Sequence, residues 1–168
     1  MKSVLKLITA ALLTLAPLSA SAQSNVAHIN VQQLISEMPE VIAAQNELAK
    51  LEKDYTTQID NAFKEFQTKA QSYSADAANQ TDVTNQARQK ELESMQTNLQ
   101  EFRDSAAQEL QKKQMDLMTP LLEKARNAIT KVGQEQGFDY VIDSSPNGGI
   151  ILADGKDLIE DVKRELGF

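Results

Sequence analysis

Residues 48–73, LAKLEKDYTTQIDNAFKEFQTKAQSY, place apolar side chains at Leu48, Leu51, Tyr55, Ile59, Ala62, Phe66, Ala70 and Tyr73. The steps alternate between three and four residues, so these positions fall on one face of a helix. The pattern repeats every 11 residues rather than every 7 (Leu48, Ile59, Ala70), which nearly matches the pitch of a straight helix. Nothing nearby breaks it. All six glycines lie after residue 132, and Pro120 is the one proline between residues 41 and 132. Glycine and proline are costly inside a helix, so a long stretch almost without them, with this apolar spacing, is long helix.

Outward from that stripe, the apolar pattern fades at 74–85, rich in Ser, Ala, Asn, Asp and Thr. This segment reads as the turn of a hairpin, with Asp82 as N-cap of the returning helix, and as its most mobile part. The return carries Met95, Leu99, Phe102, Ala106, Leu110, Leu117, Leu121, Ala128 and Val132. Folding back near residue 79 sets Phe102 opposite Tyr55. Asp60/Lys64, Glu65/Lys69 and Glu109/Lys113 are i,i+4 pairs and read as a solvated face. From Met115 a second stripe appears: Met115, Met118, Leu122, Ala125, Ile129. One partner arm covers only one stripe, so the second must bury against the terminal domain or another subunit. Pro120 removes a backbone donor there and should bend the helix.

The chain ends are different. Residues 26–31 form a β-branched run with Ala27, Ile29 and Val31 on one face and Val26, His28 and Asn30 on the other. A helical turn over 32–38 ends at Pro39. Gly133 and Gly137 close the long helix, 138–143 alternates like a strand, 144–149 is a turn and 150–152 the next strand. Asp157 as cap with Glu160 opens a last helix to Leu166. Three strands this short bury little and expose edges. Strands of several chains joining into one closed core solve both problems.

Residues 1–22 read as a secretory signal peptide: Lys2 and Lys6, an apolar core, then Ala20-Ser21-Ala22 with cleavage after Ala22. The absence of cysteine removes disulfides and lipid attachment through that residue. Without the leader the chain carries 15 bases and 24 acids, net −9; residues 41–132 are nearly neutral and the terminal piece is acidic. Such a surface repels nucleic acid and anionic lipid. No nucleotide-binding loop, metal-ligand spacing or nucleophile–base pairing is present, so neither an enzyme nor a cofactor is expected. Phe63 lies off the seam, beside Ala62 and Phe66, and is a candidate for partner contact.

Residues 26–31 followed by Gln33-Leu34-Ile35-Ser36-Glu37-Met38-Pro39-Glu40, the charged hairpin, Pro120-Leu121-Leu122, Gly137-Phe138-Asp139-Tyr140-Val141-Ile142-Asp143 and the closing helix together resemble the Skp/OmpH family of periplasmic chaperones. The resemblance covers nearly the whole chain after residue 22. It implies a homotrimer whose strands form a barrel with helical arms around a chamber. It also implies ATP-independent holding of unfolded outer-membrane proteins in the periplasm. The family's best-known members are basic, whereas this chain is acidic, which argues against lipopolysaccharide contact.

The expected architecture is therefore α+β. A helical hairpin arm (41–132, tip near 74–85) projects from a small antiparallel β body (23–40 and 133–168) that trimerises into a barrel. Ile29, Val31, Val141 and Ile151 are the expected trimer core. Tyr55, Phe63, Phe66 and Phe102 are the expected client contacts. No stable membrane insertion is expected. The alternative is a structural or adaptor coiled coil of the cell envelope.

Overall fold

A computed structural model describes residues 24–146 and 148–168. The signal-peptide reading of 1–22 lies outside them. The elements in order are β1 (Val26–Ile29), α1 (Val31–Glu37), α2 (Pro39–Asp76), a short 3-10 turn (Ala77–Asn79), α3 (Asp82–Glu135), β2 (Tyr140–Asp143), β3 (Lys156–Asp157) and α4 (Ile159–Leu166). Helices α2 and α3 are the two arms of the expected hairpin. At about 1.5 Å per residue they run about 57 Å and 81 Å.

Local chemistry sets the boundaries. Asn30 caps α1: its Oδ1 accepts the Gln33 amide at 2.9 Å. This cap puts Val31 in the first turn of a helix rather than at the end of the strand. Met38, preceding a proline, is extended at ψ 122°, and Pro39 opens α2, where its missing N–H costs nothing. The returning arm is capped by Thr81, whose Oγ1 accepts from the Thr84 amide. Asp82, the expected cap, instead occupies the first turn, where an acid suits the helix dipole. Helix α3 continues through Pro120. Gly137, at φ +73°, ends the α3 segment in the left-handed region.

The sheet order is β2-β1-β3, and both pairings are parallel. This corrects the antiparallel expectation. Residues 150–152 form no strand; the third is Lys156–Asp157, on the far side of β1. The reason is connectivity. Parallel neighbours need a crossover, not a tight turn. Residues 144–155 carry the chain across the sheet instead of turning it back.

The core lies where the chain ends meet the root of the arms. Ala27 and Ile29 from the sheet, Leu34, Met38 and Val41 from α1 and α2, Ala125, Ala128 and Val132 from α3, and Leu158, Ile159 and Val162 near α4 bury one another. Polar groups tie β2 to α1. Asp143 Oδ1 accepts from the Ser145 hydroxyl at 2.6 Å, the Ser145 amide at 2.9 Å and the Val31 amide at 3.3 Å. The Ser145 hydroxyl, followed by the amides, holds the Asp143 carboxyl below the usual range. Asp157 spans two roles: it lies in β3, and its Oδ1 accepts the Ile159 amide that begins α4. Glu160 reaches Lys163 instead of completing a capping box.

Gly133 lies inside α3 and is buried, contrary to the expectation that it ends the helix. A Cβ there would stand 2.7 Å from Val141 Cγ2. Gly133→Ala gains about 1 kcal/mol of helix propensity but overpacks a tight contact, at about 1–3 kcal/mol. Thermal denaturation should show a net loss for Gly133→Ala and a smaller one, or none, when Val141→Ala is present in the background.

Candidate assembly face and aromatic arm site

Strand register divides the sheet into two faces. Ala27, Ile29 and Val141 lie on the face toward the core; Val26, His28, Tyr140 and Ile142 lie on the other. Among the described residues, that second face is left largely uncovered. Tyr140 is 61% exposed, and Val26 and Ile142 are also exposed. His28 is half-buried in its middle, with Nδ1 3.1 Å from the Ser144 hydroxyl. At the β2 edge, on the core side of the sheet, Val31, Ile35, Leu122, Ile129, Phe138 and Val141 line an open groove of about 580 Å³. The second stripe of α3 is thus only partly covered: Ala125 is buried, whereas Met115 and Leu122 are exposed.

The four expected trimer residues therefore separate. Val31 and Val141 line this groove. Ile151 stands fully exposed in the 144–155 crossover, beside exposed Leu152. Ile29 is 1% exposed inside the protomer's own core and has no surface left to offer a partner. The sequence reading passed over Tyr140 and Ile142, although their period-two alternation with Val141 marks them as a second apolar face.

The four aromatic candidates on the arms also split. Tyr55 and Phe102 meet edge to face across the seam, centroids 6.1 Å apart, in the register expected from folding near residue 79. The Tyr55 hydroxyl donates to Glu109, which raises the phenol's pKa. That pair fastens the arms together. Phe63 and Phe66 stack instead on each other, 6.5 Å apart and 23° from parallel, and Phe63 keeps 39% of its surface exposed. They line a groove of about 460 Å³ shared with Gln96, Leu99, Gln100 and Arg103 of α3.

Residues 25–166 match the family described as outer membrane protein (OmpH-like). The chain belongs to the OmpH-like family. It is 28% identical over 155 residues to the chaperone protein Skp of Yersinia enterocolitica, covering 88% of this chain and 90% of that one. The fold is similar to the crystal structure of an OmpH-like protein from Caulobacter crescentus CB15, with TM-score 0.76 at 13% identity, over 86% of this chain and 85% of the other. A long helical hairpin on a small β body is thus the OmpH-like fold.

The arms of this OmpH-like chain are laced by ions as well as by the apolar seam. Lys124–Glu40 at 2.5 Å, Lys113–Glu47 at 2.8 Å, Lys69–Glu91 at 2.6 Å and Arg88–Asp76 at 3.1 Å all cross between arms. Lys69 and Lys113 thus serve the partner arm, beyond the i,i+4 role read from spacing; Lys69 stays 3.9 Å from Glu65. The lacing is densest near the tip. Glu91 accepts from Lys69 and from the Tyr73 hydroxyl, both at 2.6 Å, and the Arg88 guanidinium lies 4.7 Å over the Tyr73 ring. Arg88 Nη1 is buried without a hydrogen-bond partner, and the cation–π contact of its guanidinium offsets part of that cost.

This clasp gives the tip a pH response. Lys69, then Tyr73, hold the Glu91 carboxyl below the usual carboxylate range, and Arg88, then Asn79, do the same for Asp76. Depressed carboxylates contribute stability at neutral pH that is lost as pH falls through their lowered values. Lys69 and Tyr73 are raised, chiefly by hydrogen bonds to Glu91, so their contribution is lost only at alkaline pH. All four groups are solvent-accessible, so salt screens them and each contribution is small. Amide exchange, corrected for intrinsic rates, should show residues 77–81 loosest at neutral pH. Protection around 69–76 and 85–91 should hold at neutral pH and fall on acidification, and Glu91→Gln should reproduce that loss at neutral pH.

Proposed function

We propose that this protein is an ATP-independent holdase of the periplasm: a homotrimer that keeps unfolded outer-membrane proteins soluble in a chamber between its arms. Residues 1–22 serve as the export signal, removed after Ala22. Family membership supports the chaperone class, and the Yersinia relative is itself named a chaperone. The observation that carries the reading is the arm surface. A spacer or adaptor coiled coil would close its seam and present polar faces along its length. These arms close their seam with Tyr55 and Phe102 yet leave Ile42, Phe63, Val83 and Met115 exposed.

Three protomers would cover the uncovered sheet face and groove with one another's strands, and the exposed 150–152 segment is available to pair with a neighbour's open sheet edge. The interface would then be built from Val26, Val31, Tyr140, Val141, Ile142 and Ile151, with Ile29 supporting it from behind. Clients would be gripped by many weak apolar contacts. Arms carrying 14 acids and 12 bases impose little net charge on what they hold. Unfolded barrel strands alternate apolar and polar residues without a fixed shape, which suits an adaptable chamber better than a rigid pocket. Release follows when the client buries the same side chains as it folds, a step that needs no nucleotide.

The test dilutes a urea-unfolded barrel protein into buffer with the mature protein and without nucleotide, and follows light scattering beside sedimentation of the chaperone. A trimer that suppresses aggregation is the expected result. Ile142→Asp should give a folded, helical monomer that no longer suppresses it, because Ile142 is free in the protomer. Ile29→Asp should instead unfold the body, since an unpaired charge in that core costs several kcal/mol. A folded wild-type monomer, or aggregation unaffected by it, would sink the reading.

A further inference from the structure

The groove between the arms at Phe63 has a repeat that matches an extended polypeptide. The Phe63 and Phe66 ring centroids are 6.5 Å apart. Gln96 and Gln100, across the groove on α3, are one i,i+4 step apart, about 6 Å along the helix axis. In an extended chain, side chains on one face recur every second residue, about 6.7 Å. Both separations are close to that repeat, the glutamines' along the helix axis and the rings' as a centroid-to-centroid distance.

The chemistry of the two rows is complementary to that strand. The stacked rings offer an apolar surface, underlain by the buried Leu99. The carboxamides offer donors and acceptors to a backbone that has lost its own partners. Gln100 Nε2 donates to Asp104 at 3.0 Å, while its carbonyl oxygen has no donor among the described residues. Arg103 and Glu101 lie on the same groove, one of each sign, so a neutral segment meets no net charge. Phe63 is the exposed aromatic of the arms among the described residues.

We propose that this groove seats an extended client segment with alternating apolar side chains, two of them stacking on Phe66 and Phe63 while its backbone amides meet Gln96 and Gln100. The inference rests on the chaperone reading and adds to it a preference for pattern over composition. A client would be sampled where its sequence already has the period of a β-strand, before any strand has formed.

The chain contains no tryptophan, so a peptide carrying one reports binding against a dark background. Two peptides of about ten residues, the length of one membrane-spanning strand, share a composition with one Trp; one alternates apolar and polar residues, the other groups them in blocks. Fluorescence titration of the mature protein should show the alternating peptide binding about tenfold tighter, the scale of one aromatic contact. Phe63→Ser should erase that difference, and Val83→Ser, an exposed apolar change near the tip, should leave it intact. Equal binding of the two peptides by the wild type would overturn the proposal without any variant. A preference that survives in folded Phe63→Ser would overturn it too. Either result leaves the chaperone reading standing if the wild type still keeps an unfolded barrel protein soluble; failure of that holding removes the reading itself.

Discussion

The parallel pairing of β1 with β2 is the constraint on which the rest of the molecule hangs. Two strands that run the same way cannot be joined by a tight turn. In this chain the crossover is the entire helical hairpin, which leaves the body at Pro39 and returns at Glu135. The arm is thus not an insertion hung on a finished domain. It is the connection that the sheet requires, and its root supplies Val41, Ala125, Ala128 and Val132 to the core. Gly133 shows how closely the two are fitted, with no room for a methyl group between the returning arm and Val141.

A sheet made this way is too small to finish itself. Its strands have four, four and two residues, and the helices among the described residues cover only one face. The other face, the groove at the β2 edge and the exposed 150–152 segment are the unpaid part of the fold, and covering them with copies of the same chain is what the trimer proposal adds. The arms have the opposite character. Their seam is closed by apolar contact, by Tyr55 with Phe102 and by ion pairs that cross from arm to arm, so the apolar groups left outside are surplus to the needs of the hairpin. Assembly at the base and holding along the arms can therefore reside on separate surfaces, open to separate disruption.

Much of this was legible in the sequence. The 3,4 spacing over 48–73 contains the arm, and folding it back near residue 79 places Tyr55 on Phe102, because helical rise converts residue counts directly into distance. The sheet was harder. Period-two alternation reports which residues share a face but says nothing of strand direction, so the parallel pairing and the two-residue β3 could not be read from it. Ile29 was assigned to the interface because an apolar strand residue carries no mark of which side its cover comes from. Gly133 looked like a helix end because the same residue type serves for stopping a helix and for close packing. At the tip, the scarcity of apolar residues hid a clasp of Lys69, Tyr73, Arg88 and Glu91, whose partners lie on opposite arms and share no local spacing. Phe63 stood out only as an aromatic off the seam; the glutamines facing it across the arm needed coordinates.

The claim that one chamber is built from three chains around one client is tested most directly by native mass spectrometry of the purified complex with an unfolded outer-membrane barrel protein, prepared without nucleotide. The expected species is one client with three copies of this chain. A client bound to a single copy, with no three-chain species at any protein concentration, would contradict it.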